Sequence, residues 1–446
     1  MGINLAHIKN KFILQEVSNA PLVIFRILFG AMMIISTLRF ILNGWVQEFY
    51  INPTFHFTFY GFDWIRPLPE SWMYLPFVIT ILASLGIMVG LLYRVSTILF
   101  FLSFTYVELL DKTYYLNHYY FVSLIAFLLI WLPAHRRFSL DSYFLITNRA
   151  TRCQIFEINV IRSMAGIVYC YAGLAKLNTE WLFRAMPLKI WLPANSHLPV
   201  IGSLLTKTWV AYLFSWFGAF YDLTISFFLS LKKFSRYGFI VVIVFHITTG
   251  ILFPIGVFPY LMIFSSIIFF PAVSQEKWLY FVENRVGIRH FEKVIHTNHK
   301  WKIALFGLFI SFQLIFPWRY TLYPGNLFWT EEGYRFSWRV MLMEKTGVAY
   351  FFVTDPSTNK RIMVNNSDHL TELQERMMAT QPDMLLQYAH FLDETYQDKG
   401  IEDPLIKVEA FVTLNGENSK QFIDSSTDLS VEKDSWAPKK WIVSNE

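Results

Sequence analysis

Nine runs of mostly apolar residues, at about 21–43, 72–93, 95–111, 118–134, 155–176, 209–232, 236–253, 254–271 and 303–318, fill the first three-quarters of the sequence. About 20 apolar residues carry a helix across the roughly 30 Å hydrocarbon core of a bilayer. In lipid, only helices and closed barrels satisfy their own backbone groups. With 54% hydrophobic and 16% charged residues, against about 25% charged in a soluble domain, the chain reads as a polytopic α-helical membrane protein of about nine spans. Several runs are at or below the roughly 17-residue limit, so some helices are expected to be broken or covered by protein. The break LFPIGVFPY between the seventh and eighth runs reads equally as a tight hairpin or a re-entrant turn.

Basic residues set the expected orientation. The N-terminal MGINLAHIKNKFILQEVSNAP lacks an apolar core before a small-residue cleavage site and reads as a cytoplasmic end. On that basis the inside loops hold Lys9, Lys11, Arg94, Arg136, Arg137, Arg149, Arg152, Lys232, Lys233, Arg236, Lys277, Arg285, Arg289, Lys293, Lys300 and Lys302. The outside loops hold Arg66, Lys112, Arg184, Lys189 and Lys207, with Lys176 at a span end. Sixteen against six satisfies the positive-inside rule. An odd number of spans then leaves the C-terminal region outside, in a periplasm or lumen.

The chain divides into a membrane part, 1–318, and an extracytoplasmic α+β domain, 319–446. FFVTDPSTNKRIMV reads as a hairpin around Asp355-Pro356, and EAFVTLNGENSKQFI as one turning at Asn415-Gly416. The stretch between them has helical spacing, interrupted at Pro382. No Walker or Rossmann glycine motif is present, so ATP- or NAD-driven chemistry has no support. Cys153 and Cys170 lie 17 residues apart at opposite ends of one expected helix, roughly 25 Å apart at 1.5 Å per residue. They cannot pair with each other, and two cysteines make no metal framework.

Ionisable groups inside spans cost about 2.5–3.5 kcal/mol at a helix centre, which makes each one a site candidate. The topology puts Glu108, His118, Lys176 and His246 in the outer half of the membrane, with Asn117 beside His118 and Asp222 near the middle of its span. Each has a structural reading. Lys176 suits an interfacial anchor, with Trp181 as its aromatic neighbour. His118 suits an interfacial histidine, and Glu108 and Lys112 suit an i, i+4 pair. Asp222 suits a buried salt bridge, and His246 stands between the two readings. The functional reading of Lys176 is a desolvated amine that serves as a base, kept dry by Ala172, Gly173 and Ala175. Spacing does not choose between them.

Five runs, RPLPESWMYL (66–75), GLLYRVSTILFFLSFTYVELLDKTYYLNHYY (90–120), AGLAKLNTEW (172–181), FHITTGILFPIGVFPY (245–260) and GYRFSWRVMLMEK (333–345), resemble the vitamin K-dependent gamma-glutamyl carboxylase family. The likeness runs in order from about residue 20 to 440. It implies that epoxidation of a reduced naphthoquinone by O2 is coupled to CO2 addition at a peptide glutamate. No side chain is basic enough for that γ-proton, so the base must be generated on a cofactor away from water. Carried over, Lys176 is the base for the hydroquinone, and His118, with Asn117 beside it, serves the glutamyl carbanion. No family role carries onto Asp222, His246 or Glu108, which stay candidates for quinone or substrate binding.

The resemblance also implies an exported glutamate-containing protein as partner, and no metal. Three departures stand. Animal members have two adjacent lysines where this chain has Ala175-Lys176. Their disulfide has no counterpart here, and their long C-terminal extension is absent, which puts propeptide docking in doubt. The short tail suggests a bacterial inner-membrane member, for which menaquinol replaces vitamin K hydroquinone. Two alternatives remain open: quinol epoxidation or oxidation without carboxylation, and a membrane receptor or transporter on the same scaffold.

Overall fold

The computed structural model describes residues 13–287 and 300–445. Lys9, Lys11, Arg289 and Lys293, which entered the charge count, and most of the N-terminal stretch read as cytoplasmic lie outside those residues.

Every apolar run forms a helix. In chain order these are α1 (Ala20–Leu42), α2 (Tyr74–Val89), α3 (Tyr93–Leu109), α4 (Asn117–Trp131), α5 (Ile155–Ala175) with the short α6 (Thr179–Arg184) after it, α7 (Thr208–Ser230), α8 (Ser235–Leu252), α9 (Phe258–Ser266), α10 (Ala272–Val286) and α11 (Lys300–Ile315). Among the described residues, six segments are long and apolar enough to cross a bilayer: Ala20–Leu42, Glu70–Val89, Ile155–Ala175, Thr208–Ser230, Ser235–Leu252 and Lys300–Leu322. The bent pair α9–α10 makes a seventh if counted as one span.

Two of the nine runs form the short helices that their length led one to expect. The 15 residues of α4 and the nine of α9 rise only about 22 and 14 Å at 1.5 Å per residue, short of the roughly 30 Å core. The polar turn at Asp111 ends α3. Pro271 follows an extended Phe270 and opens α10 at 102° to the preceding helix. Helix α10 is clamped by Arg137, whose guanidinium binds Glu283 and Glu276 at 2.7–2.8 Å.

Strands β1 (Glu16–Ser18) and β2 (Arg152–Gln154) pair antiparallel and tie the chain before α1 to the start of α5. The C-terminal part builds a second, four-stranded antiparallel sheet from β3 (Lys345–Thr354), β4 (Arg361–Met363), β5 (Leu405–Leu414) and β6 (Lys420–Gln421), in the order β4-β3-β5-β6. In β5 the alternate residues Ile406, Val408, Ala410 and Val412 are buried, the period of two that lays one strand face on a core. Helices α12 (Glu372–Met378) and α13 (Pro382–Asp398) supply the opposing apolar residues. Both expected hairpins form. Asn415 and Gly416 take φ of 51° and 74°, as a two-residue turn with both central residues left-handed requires. Pro382 opens α13 rather than breaking a longer helix.

The two parts share their cores. Trp338, fully buried, packs into the membrane helices' core, and its ring stacks on Tyr120 at 5.0 Å. Cys153 and Cys170 are both free thiols.

Candidate active site

A capping box between Gln154 and Glu157 starts α5, which ends with Lys176 as its C-cap residue. Tyr169, Ala172 and Lys176, at i, i+3 and i+7, lie on one face of the helix. That face meets α7 closely, because position 173 carries no side chain: a Cβ there would lie 2.7 Å from the backbone nitrogen of Leu223. The approach brings Asp222, one residue away, to Lys176. Lys176 Nζ donates to Asp222 Oδ2 at 2.7 Å and to the Ala172 carbonyl at 3.2 Å, and both charged side chains are buried. The small residues are in place and let a carboxylate pack against the amine, which is buried.

An aromatic-lined cavity opens over this pair. Phe245, Phe253 and Phe258 contribute apolar wall, and Trp181 lies with its ring centre 5.3 Å from Lys176 Nζ. Trp181 is fixed there by its indole N–H, which donates to the Ser215 carbonyl of α7 at 2.8 Å. His246 reaches the cavity from α8. Its Nε2 lies 3.1 Å from the Tyr169 hydroxyl, which in turn lies 3.3 Å from Ser266 Oγ. His246 Nδ1 is buried without a hydrogen-bond partner, an orphan polar atom in an otherwise apolar wall.

The remaining sequence candidates divide. His118 is buried on the first turn of α4, behind Phe258, and does not line this cavity. The Phe258 ring centre is 5.8 Å from the rings of both His118 and His246, so one aromatic side chain separates the two histidines. Glu108 lines a different cavity, with Tyr50, Tyr114 and Tyr119. Ser123 donates to its Oε2 at 2.5 Å, and Oε1 is buried without a partner. The expected Glu108–Lys112 pair does not form. Lys112 lies past the end of α3 in a 3-10 turn and binds Asp383 at 2.8 Å instead.

Asn117 holds a segment of protein. Its Nδ2 donates to the Arg339 carbonyl at 2.8 Å, the Phe336 N–H donates to the Tyr115 hydroxyl at 2.9 Å, and Trp338 stacks on Tyr120. Three residues of the YYLNHYY run thus fasten residues 333–343 across the membrane part. Val340 and Met341 of that segment line the Lys176 cavity. Glu331, Glu332, Gly333, Arg335 and Phe336 line a more polar groove, with Lys112, Arg319, Asp383 and Lys439 among its walls. One segment therefore borders both spaces.

Arg335 Nη1 and Lys112 Nζ converge on Asp383 Oδ2 at 2.6 and 2.8 Å. Burial opposes the Asp383 charge, but these two cations outweigh it and hold the carboxyl well below the usual carboxylate range. Asp383 also lies in the first turn of α13, where the helix dipole favours an anion.

Sequence reasoning missed Tyr169, Trp181, Phe258 and Met341 as cavity walls, and Arg335 and Asp383 as a docking pair. Only Tyr169 carried a signal, its spacing of seven from Lys176. Among the described residues no group of His, Cys, Asp and Glu is arranged to hold a metal ion.

A family model described as an HTTM domain matches residues 14–273, more than half of the chain. A second, described as the vitamin K-dependent gamma-carboxylase lumenal domain, matches residues 298–446. No solved structure matches the chain.

Proposed function

The chain belongs to the vitamin K-dependent gamma-carboxylase family, as a carboxylase-like membrane protein with a lumenal domain, and from that premise we propose that it couples oxidation of a reduced naphthoquinone to carboxylation of peptide glutamate. The observation that carries this reading is the buried Lys176–Asp222 pair on the wall of an aromatic-lined cavity.

The residues present suit a flat, lipid-soluble ring. Three phenylalanines and Trp181 offer faces and edges to pack on, and the orphan His246 Nδ1 offers a hydrogen bond to a ring oxygen. Bound there, a reduced naphthoquinone such as vitamin K hydroquinone or menaquinol would supply, with O2, the base strong enough to remove a glutamyl γ-proton. Lys176 Nζ passes a proton to the Asp222 carboxylate and takes the proton of the bound hydroxyl in its place, so the pair gains one proton while Asp222 keeps Nζ aimed at the cavity. Phe245, Phe253 and Phe258 exclude water that would otherwise quench a strong base. Asn117 fixes residues 333–343 as the partition between cavity and groove. A glutamate-bearing exported peptide lies in the groove and presents its side chain, with CO2, past Val340 and Met341. His118 serves the carboxylation half of the reaction from behind Phe258, and Glu108 belongs to a separate pocket. In this reading the membrane part ends near residue 318, the N-terminus is cytoplasmic, and the C-terminal domain faces the periplasm across a bacterial inner membrane.

Purified protein incubated with reduced naphthoquinone, labelled bicarbonate and a glutamate-rich peptide should yield both epoxide and labelled peptide. Absence of both products sinks the proposal. A second reading, quinol oxidation without carboxylation, is favoured by the position of His118 outside the Lys176 cavity. Epoxide without label across a broad panel of peptides would select it.

A further inference from the structure

At the ends of the helices farthest from the C-terminal domain, the chain gathers cations in excess of anions. Helix α3 gives the direction. Its last residue leads to Lys112, bound to Asp383 of the C-terminal domain, while Arg94 sits in its first turn at the opposite end. Arg94, Arg136 after α4, Arg26 of α1 and Lys302 of α11 all lie within electrostatic range of the His135 ring. Burial, reinforced by these charges, pushes that imidazole down to about 3, so at neutral pH it carries no charge of its own. It stacks on Tyr93 at 4.7 Å.

Two nearby carboxylates are engaged, one of them with the cluster's own Lys302. Glu157 binds Lys302 at 3.3 Å and the Gln154 N–H at 3.1 Å. Asp141 accepts from the Leu92 and Tyr93 N–H groups at 2.7 and 2.9 Å. Arg136 Nε and two guanidinium nitrogens of the fully buried Arg26 have no hydrogen-bond partner.

A second feature adjoins this cluster. In the loop between α4 and α5, Tyr143, Phe144, Leu145 and Ile146 are 64%, 61%, 73% and 57% exposed. The loop is tied to the cation cluster by its backbone: the Ala150 N–H donates to the Arg136 carbonyl at 3.0 Å, and the Asp141 N–H to the Gly90 carbonyl at 2.9 Å. Irregular backbone cannot lie in the hydrocarbon core, because its polar groups would go unpaired. Four consecutive apolar side chains next to a cationic cluster fit the boundary between headgroups and acyl chains, where the side chains insert and the cations meet phosphates.

We propose that Arg94, Arg136 and Lys302 form a binding site for the phosphate of an anionic phospholipid headgroup, with loop 143–146 inserted in the same leaflet. The charge excess selects an anion, and the adjoining apolar loop selects a lipid over a soluble phosphate.

The full chain, exchanged into micelles containing phosphatidylglycerol or phosphatidylcholine, is examined by native mass spectrometry for retained lipid. Phosphatidylglycerol is expected to stay bound preferentially. Arg94→Gln/Arg136→Gln/Lys302→Gln is expected to weaken it on the order of 100-fold, from a factor of roughly five for each cation. Lys232→Gln/Lys233→Gln, in the loop between α7 and α8, should leave retention unchanged. Equal retention of phosphatidylcholine, an equal loss in the Lys232/Lys233 variant, or displacement by glycerol phosphate alone overturns the proposal. Where the triple variant is not monodisperse, a headgroup-photoreactive phosphatidylglycerol on the unaltered protein decides: crosslinks within 134–150 or beside Arg94 or Lys302 support the site, and crosslinks confined elsewhere refute it.

Discussion

Lys176 on α5 and Asp222 on α7 meet at 2.7 Å in a buried setting, 46 residues apart in sequence. Two buried opposite charges are costly to separate and only modestly stabilising together. Asp222→Ala, which leaves a buried ammonium without its counter-charge, is expected to destabilise the protein by about 3–5 kcal/mol. Lys176→Met/Asp222→Leu should cost much less than the sum of its single changes. Thermal unfolding of all four proteins in one detergent closes the cycle, and additive effects would mean that the two residues do not interact.

The activity prediction uses the same pair. Lys176→Ala/Asp222→Asn removes the base without stranding a charge. Quinol-dependent turnover should fall by at least about 10³, within the range for loss of a positioned proton acceptor, while unfolding stays cooperative. A small exogenous amine should restore part of the rate. Flux or binding of a solute that survives this change would favour the transporter reading instead.

Position 173 is the hinge of the geometry. A methyl group there meets the Leu223 backbone at 2.7 Å, and backbone cannot rotate aside as a flexible side chain can. Gly173→Ala is expected to destabilise by about 1–3 kcal/mol and to lower kcat by parting Lys176 from Asp222. Wild-type kcat in a correctly folded Gly173→Ala protein would show that the close approach does not matter to the pair.

Asn117 acts through the segment it holds. Asn117→Ala removes one hydrogen bond, worth about 1 kcal/mol, and leaves the Arg339 carbonyl unpaired. The expected signature is a several-fold rise in KM for the peptide with a smaller change in quinol oxidation, together with faster amide exchange in residues 333–343. A fall in quinol oxidation with unchanged exchange would assign Asn117 to the chemistry instead.

Acid should loosen the docking of the C-terminal domain. Asp383 is held well below the usual carboxylate range, so its ion pairs with Arg335 and Lys112 contribute fully above the unfolded value, about 3.9. That contribution is lost as pH falls from there toward the depressed folded value. Protease access to segment 333–343 should therefore be flat from pH 7 to about 5 and rise below about 4, and Asp383→Asn should show the acid level of access at pH 7. A midpoint near 6.5 would point to a histidine instead.

Much of the fold was legible because its causes are local. Apolar run length and Pro, Asn-Gly and Asp-Pro punctuation act over a few residues, and they located the helices of the nine apolar runs and both C-terminal hairpins. They do not say which runs cross completely, because an apolar run says nothing about whether a helix faces lipid or protein. The candidates were readable too: Lys176, Asp222, His246, His118 and Glu108 were all selected for polarity within apolar runs. Which of them share a wall was not.

Hydropathy and charge fix how far along the membrane normal a residue sits, and they leave open its direction around the helix axis and the neighbour it meets. The sequence alone therefore determined a membrane protein with a mixed α and β domain after it, and a short set of costly polar residues to explain. The tertiary structure decided that Lys176 belongs with Asp222 and His246, that Phe258 stands between His246 and His118, and that Glu108 lines another cavity. It also turned Asn117 toward a carbonyl 222 residues away. Those choices depend on how closely helices approach and rotate against one another, which a single small side chain such as that of Gly173 controls and no local pattern encodes.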